Sequence, residues 1–389
     1  MTDPAPSAHP GDPAALRALL DRVPVRGMSA VRVRVPFRRP FATATGMWLH
    51  REAWIVRLEA ADGRVGLGEA VLEPDATEVE ETILARAIRE TAGRAREGDL
   101  PDAAELGLLG GAGRAFLAAL DGARLDLALE PDRLAVPVNG TISFGGPRAG
   151  AEAALQAIEA GFTALKLKAG AERETEDLVA RVRAIRSAVG PAIRLRLDVN
   201  GAWDLPTAED RLEAVARFDV EYVEQPLPAD DIAGAADLRS RVAVPIAADE
   251  AAGSPAAVRS LLAAGAVDVI VVKPARVGGP VAVAEIAAAA APRGVPVVLS
   301  TLFETGVGVA SARVAAAALP AVTWRGRAAA LPHGLATAGL LEHDLVRAPL
   351  VVDGGRLSAP GGEGTGGLGV ALDERAVRRF RAETVEAAG

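Results

Sequence analysis

The sequence predicts an α/β protein: a parallel (β/α) barrel with an α+β region before it and a strand-and-loop segment after it. Three observations support this. From about residue 133 to 345, short apolar runs alternate with amphipathic helical stretches at a steady beat. Between about residues 31 and 71 the alternation is instead residue by residue, as in antiparallel strands. Half of the 389 residues are apolar, enough for a substantial core.

Composition narrows the function. The net charge is −8 with acids and bases interspersed, so no basic tract for nucleic acid is present. The absence of cysteine excludes disulfides, thiolate metal ligands and a cysteine nucleophile. The start "MTDPAPSAHPGDPAALRALL" lacks a charged n-region followed by an apolar run, so no secretory leader is expected. The longest apolar stretch, "VAVAEIAAAAAPRGVPVVLS", is interrupted by Glu285, Pro292 and Arg293, which argues against a membrane span. A cytoplasmic protein is the expectation.

Residues 1–28 are rich in Pro, Ala and Gly and read as a flexible extension. From Val31, "VRVRVPF", "AWIVRLEA" and "VGLGEAV" read as a three-stranded meander whose second turn carries Asp62-Gly63. Helical patterns follow over Glu78–Glu97 and Arg114–Leu129. After Pro137 come eight strand candidates: "VPVNGTIS", "ALKLKAG", "IRLRLDVN", "YVEQPL", "PIAADE", "VDVIVVKPA", "PVVLSTLFE" and, weakest, "HGLAT". A doubly wound sheet is the alternative, but no Gly-rich fingerprint follows the first strand. Beyond about residue 345 the chain returns to strand and loop and is expected to pack on the meander. There "GTGGLG" follows no βα unit and reads as tight turns rather than a phosphate loop.

In such a barrel the chemistry sits at the C-terminal strand ends. Reading off the terminal polar residues gives Lys166 and Lys168, Asp198 and Asn200, Glu224, Asp249 and Glu250, then Lys273. From Asp198 the steps to Glu224, Asp249 and Lys273 are 26, 25 and 24 residues, one βα repeat each. Any of these acids alone could equally be a helix N-cap or a solvated charge. Three aimed into one mouth repel one another, and a hard dication such as Mg²⁺, held by oxygen ligands, resolves the conflict. Lys166 and Lys168 share one face of their strand, and Lys273 ends an almost wholly apolar one. Near a metal and a second ammonium, a lysine's pKa is expected to fall toward neutrality, where it can act as a base. Of His9, His50, His333 and His343 only His333 approaches a strand end, so a His/Asp dyad is not expected. Ser/His/Asp hydrolysis lacks its G-x-S-x-G elbow.

The motifs "LKLK", "LDVNGAW", "VEQPL", "IAADE" and "VVKPARVGG", in that order, resemble the muconate-lactonizing branch of the enolase superfamily. Within it, "STLFETGVGVASA" and "HGLATAGLLEHDLV" are similar to the o-succinylbenzoate synthase family. The resemblance implies a modified TIM barrel (residues 133–345) under an α+β capping domain (29–132) that the C-terminal segment (346–389) closes. It makes Asp198, Glu224 and Asp249 the Mg²⁺ ligands, and Lys168 and Lys273 the catalytic pair. Lys166, Asn200 and Glu250 would support them, while Ser300, Thr301 and Glu304 would touch substrate. "FRRPFATATG" (Phe37–Gly46) takes the place of the loop that closes over substrate.

The implied reaction is a Mg²⁺-dependent syn-dehydration of a small carboxylate in menaquinone biosynthesis. Lys168 would take the proton alpha to the carboxylate and return it to the departing hydroxyl, while Lys273 would offer its charge to the ring face. Racemisation or epimerisation of N-acylamino acids or dipeptides on the same scaffold is the second reading. A non-catalytic barrel scaffold is the third. "STLFETG" lacks the Asp-x-Asp that a dipeptide epimerase would favour for the substrate ammonium.

Overall fold

The computed structural model describes residues 11–43, 46–131, 134–143, 145–329 and 331–386. Strands β1 (Val25–Thr43), β2 (Gly46–Ala60) and β3 (Val65–Ala70) form the expected meander. Its faces separate by parity, as a pleated strand requires. Val31, Val33, Val35, Ala53 and Ile55 pack toward the barrel helices. Met28, Ala30, Trp54, Val56 and Leu58 pack on helices Glu78–Arg94 and Gly110–Ala128. Phe37–Thr43 and Gly46, expected as parts of a loop, instead continue strands β1 and β2, with Phe41 paired to Trp48 across a register shift. Residues 44 and 45 lie outside the described residues.

Residues 1–28 are not simply an extension. Pro13–Asp21 is a helix, capped by the Asp12 carboxylate, which accepts from the amides of Ala14 and Ala15 at 2.9 and 3.3 Å. Leu16 and Leu20 bury one face of it, and Arg17 grips the buried Asp121 with two hydrogen bonds of 2.9 and 3.0 Å. Residues 25–28 already belong to β1. The Pro and Gly content hid a short amphipathic repeat; residues 1–10 lie outside the described set.

After β4 (Val136–Pro137) the barrel strands run in chain order. They are β5 (Gly140–Ile142), β6 (Ala164–Lys168), β7 (Arg194–Asp198), β8 (Val220–Glu224), β9 (Ile246–Ala248), β10 (Val269–Val272) and β11 (Val297–Leu299). They form one seven-stranded sheet whose mapped pairings are all parallel. The eighth strand read from "HGLAT" shrinks to two residues. His333 bridges to Val138 and Gly334 to Ser300, both in parallel sense, and these bridges close the ring. Before this seam stands a short hairpin, β12 (Val322–Trp324) and β13 (Arg327–Ala329).

The fully buried Arg196 reinforces the seam from inside. It donates to the Pro332 carbonyl (2.6 Å), Asn139 Oδ1 (3.1 Å) and Glu221 Oε2 (2.6 Å), and lies over the Tyr222 ring. His333 accepts the Leu299 amide on Nδ1 at 3.0 Å.

The C-terminal segment adds β14 (Val351–Asp353) and β15 (Arg356–Ser358), the latter pairing with β4, and then β16 (Arg381–Val385) on the free edge of β1. "GTGGLG" wraps the end of helix Gly110–Ala128. A Cβ at Gly366 would stand 2.4 Å from Asp126 Oδ1, so only glycine permits the approach. Among the described residues no helix is long and apolar enough to cross a membrane.

Candidate active site

Parity also builds the site. On β7, Leu195 and Leu197 face the helices, which leaves Arg196 and Asp198 to the barrel interior. On β6 the same rule turns Lys166 and Lys168 inward, and on β10 it sends Lys273 in with Val269 and Val271. Lys168, Asp198 and Glu224 are in register across β6, β7 and β8. The strands end where the chain turns sharply. Asn200 and Gln225 adopt left-handed backbone conformations, φ 51° and 42°, which non-glycine residues keep only when their surroundings fix them. Gln225 is fixed at both ends of its amide. Nε2 donates to the Leu227 carbonyl (2.8 Å), and Oε1 accepts from the amides of Asp249 (3.1 Å) and Ala251 (3.0 Å).

The expected groups meet. Lys166 Nζ lies 2.8 Å from Asp198 Oδ2 and 2.9 Å from Glu224 Oε1. Lys168 Nζ donates to the same Asp198 oxygen at 2.7 Å and to Asn200 Oδ1 at 3.0 Å. Asn200 passes the chain on to Glu250 Oε1 at 3.0 Å. Across the mouth, Lys273 bonds Asp249 Oδ2, and Arg276 donates to Asp249 Oδ1 at 2.8 Å. Arg276 also grips Glu73 of the cap. Sequence reasoning passed over Arg276 and Gln225, although they sit inside "VVKPARVGG" and "VEQPL". Glu73 offered no signal, because only the fold brings it here.

Electrostatics shows surplus negative charge. Burial opposes ionisation of Asp198, yet Lys166 and Lys168 hold its carboxyl well below the usual range. Likewise Lys273 and Arg276 hold Asp249 down at about 2 against burial. Glu224 goes the other way, pushed up to about 7 by burial and by the charge of Asp198. Glu250 is raised by burial and by Asp249. Burial alone would lower the pKa of Lys166, but Asp198, Glu224 and Asp249 outweigh it and raise the pKa well above that of a free lysine. These carboxylates act against the fall that a neighbouring metal ion and ammonium would cause.

Among the described residues no three acids stand together in metal-ligating geometry as they lie. Instead the lysine ammonium groups stand between them. The donor chemistry nonetheless fits a hard dication. Asp198 Oδ1 and Glu250 Oε2 are buried without a partner, and the strand-end acids offer only oxygen.

Of the expected substrate contacts, Ser300 and Thr301 follow β11 at the barrel mouth. Thr301 Oγ1 bonds Thr337 Oγ1 at 2.8 Å. Glu304 is buried, its Oε2 accepting the Leu302 amide at 2.5 Å. Burial and the charge of Glu69 push its carboxyl to about 7, and its charged neighbours are Glu69 and Arg51 of the cap rather than the site lysines. Burial likewise raises Glu69 and lowers Arg51, although Glu304 and Glu69 raise the latter in part.

Residues 149–376 match the family model described as enolase C-terminal domain-like. The o-succinylbenzoate synthase of Thermobifida fusca (strain YX) is 43% identical over 227 residues, 57% of this chain and 65% of that protein. The L-Ala-D/L-Glu epimerase of Bacillus subtilis (strain 168) is 30% identical over 360 residues, 88% of this chain and 96% of that protein. The crystal structure of a muconate lactonizing enzyme from Pseudomonas fluorescens complexed with muconolactone superposes with a TM-score of 0.76. It is 26% identical and covers 92% of this chain and 99% of its own.

Proposed function

The chain belongs to the enolase superfamily, in its muconate-lactonizing subgroup, and from that membership we propose that it is an o-succinylbenzoate synthase. In this reading it converts 2-succinyl-6-hydroxy-2,4-cyclohexadiene-1-carboxylate to o-succinylbenzoate and water, in menaquinone biosynthesis and in the cytoplasm. The observation that carries the proposal is the unequal presentation of the three lysines. All three are paired with carboxylates, but Lys168 is 24% exposed, whereas Lys166 and Lys273 are 11% and 12% exposed. One lysine facing the mouth suits chemistry in which a single amine first removes a proton and then returns it.

Lys168 takes the C1 proton, whose electron pair moves into the adjoining carboxylate. The proton on its Nζ is then delivered to the C6 hydroxyl, which leaves as water while the ring becomes aromatic. Asn200 Oδ1 and Asp198 Oδ2 hold Nζ in place between the two transfers. Lys273, steadied by Asp249, presents fixed positive charge from the opposite side. Asp198, Glu224 and Asp249 would hold Mg²⁺, with Lys166 balancing their charge. Bound there, the ion supplies positive charge for the substrate carboxylate as negative charge builds on it.

The test is to mix purified protein, Mg²⁺ and the diene, and to follow the ultraviolet absorbance of the aromatic product. Turnover is expected, and Lys168→Ala should lower kcat by about 10³-fold or more. No turnover, together with α-proton exchange in N-succinylamino acids or dipeptides, would replace this reading with the racemase or epimerase one favoured by the 30% identity to an epimerase.

A further inference from the structure

The loop after β11 carries a feature that the lysines and acids do not explain. Phe303 adopts a left-handed backbone, φ 64°, unusual for a bulky side chain. Such a conformation persists only when neighbours hold it. Two parts of the cap do so. The Phe303 ring meets Phe37 and Trp48 of the β1–β2 hairpin edge-on, with centroids 6.0 and 6.2 Å apart. Two residues on, Glu69 of β3 reaches across from the cap. Its Oε1 accepts the Thr305 amide at 2.9 Å, and its Oε2 accepts the Thr305 hydroxyl at 2.7 Å and the Gly308 amide at 2.8 Å.

The Glu69 carboxylate therefore caps helix Gly306–Ala317 from another domain. It is 5% exposed, and Thr305 is fully buried. Close packing at the glycine completes the clasp: a Cβ at Gly308 would stand 3.0 Å from Glu69 Oε2 and 2.6 Å from Glu304 Cβ.

We propose that Glu69 is a positioning residue for the active site, a cap carboxylate that sets the conformation of the mouth loop Ser300–Thr305 by clamping its last residue and the helix behind it. The inference rests on the site reading above, because this loop matters to substrate only if the barrel mouth binds it. Lysines and acids on β6 to β10 lie outside the clamp. Releasing it should therefore loosen the grip on substrate while leaving the reacting groups in place.

The experiment uses the full chain with Glu69→Gln, Thr305→Val and Thr305→Ser. Glutamine cannot accept at both oxygens, valine removes the hydroxyl, and serine restores it. Hydrogen exchange at the Thr305 and Gly308 amides should accelerate roughly tenfold in Glu69→Gln, with β6 to β8 unchanged. KM for the diene should rise roughly tenfold in Glu69→Gln and Thr305→Val with kcat within about twofold, and Thr305→Ser should stay near wild type. Magnesium uptake by calorimetry should be unchanged. Wild-type exchange and KM in a folded Glu69→Gln would overturn the proposal. So would kcat falling as KM holds. If Glu69→Gln does not fold, Thr305→Val against Thr305→Ser decides by the same readouts. A wild-type protein inactive on the diene would overturn the reaction assigned above, whereas unaltered exchange at residues 305 and 308 would overturn this inference alone.

Discussion

His333 has a ring at the end of the shortened eighth strand, where a catalytic histidine would be convenient, but its nitrogen serves the backbone. Nδ1 accepts the Leu299 amide, and burial, with the nearby Arg196, pushes its pKa down to about 3. The unfolded chain binds that proton with a pKa near 6.5, so between about pH 6.5 and 3 the unfolded state holds more protons. Stability from this group is complete above 6.5 and is lost as pH falls toward 3. At about 1.4 kcal/mol per pH unit, roughly 2 kcal/mol should vanish between pH 7 and 5. Asp121, Asp126 and Glu304 act in the opposite direction, because burial raises their carboxyls to about 6, 6 and 7. Urea midpoints of the wild type and His333→Asn at pH 7 and 5 separate the two effects. The variant should lack the acid-side loss, and an identical loss in both would remove His333 as its source.

Helix Pro13–Asp21 packs its leucines against helices Gly110–Ala128 and Pro280–Ala290, so it ties a cap helix to a barrel helix. Leu20 is fully buried. Truncating a buried leucine to alanine costs about 2–5 kcal/mol when the site cannot collapse. Leu20→Ala should therefore lower the unfolding free energy by that amount, read from urea titrations followed by circular dichroism. A change under about 0.5 kcal/mol, the usual value for a surface position, would mean that the helix contributes nothing to the fold. The β1–β2 hairpin shows the same principle in another element, since tertiary packing of Phe37 and Trp48 on Phe303 accompanies strand geometry where "FRRPFATATG" suggested a loop.

Across the whole molecule, cap and barrel share one core. Val31, Val33 and Ile55 of the cap pack with Val281, Val307 and Ala310 of the barrel and with Leu368 and Val370 of the tail. A ligand bound at the strand ends should consequently stabilise the entire chain rather than a loop. Binding to the folded state alone adds RT ln(1 + [L]/Kd), about 2.7 kcal/mol at a hundredfold excess over Kd. Magnesium should thus raise the melting temperature, EDTA should reverse the rise, and Asp198→Asn should abolish it. A melting curve indifferent to millimolar Mg²⁺ would sink the assignment of these acids as ligands.

The sequence by itself determined the repeating strand–helix beat, the inward parity of Lys166, Lys168, Asp198, Glu224 and Lys273, and the spacing of one repeat between successive acids. These follow from local periodicity, which any strand imposes on its own side chains. Tertiary structure alone decided the rest. Arg17 found Asp121, Glu73 found Arg276 and Glu69 found Thr305 across separations that leave no periodic trace. The eighth strand could not be read with assurance because two bridging residues, helped by a buried arginine, suffice to close a ring whose other seven strands already fix its curvature. Pairings between distant segments depend on how whole layers pack, and that packing is a property of the folded chain rather than of any short window within it.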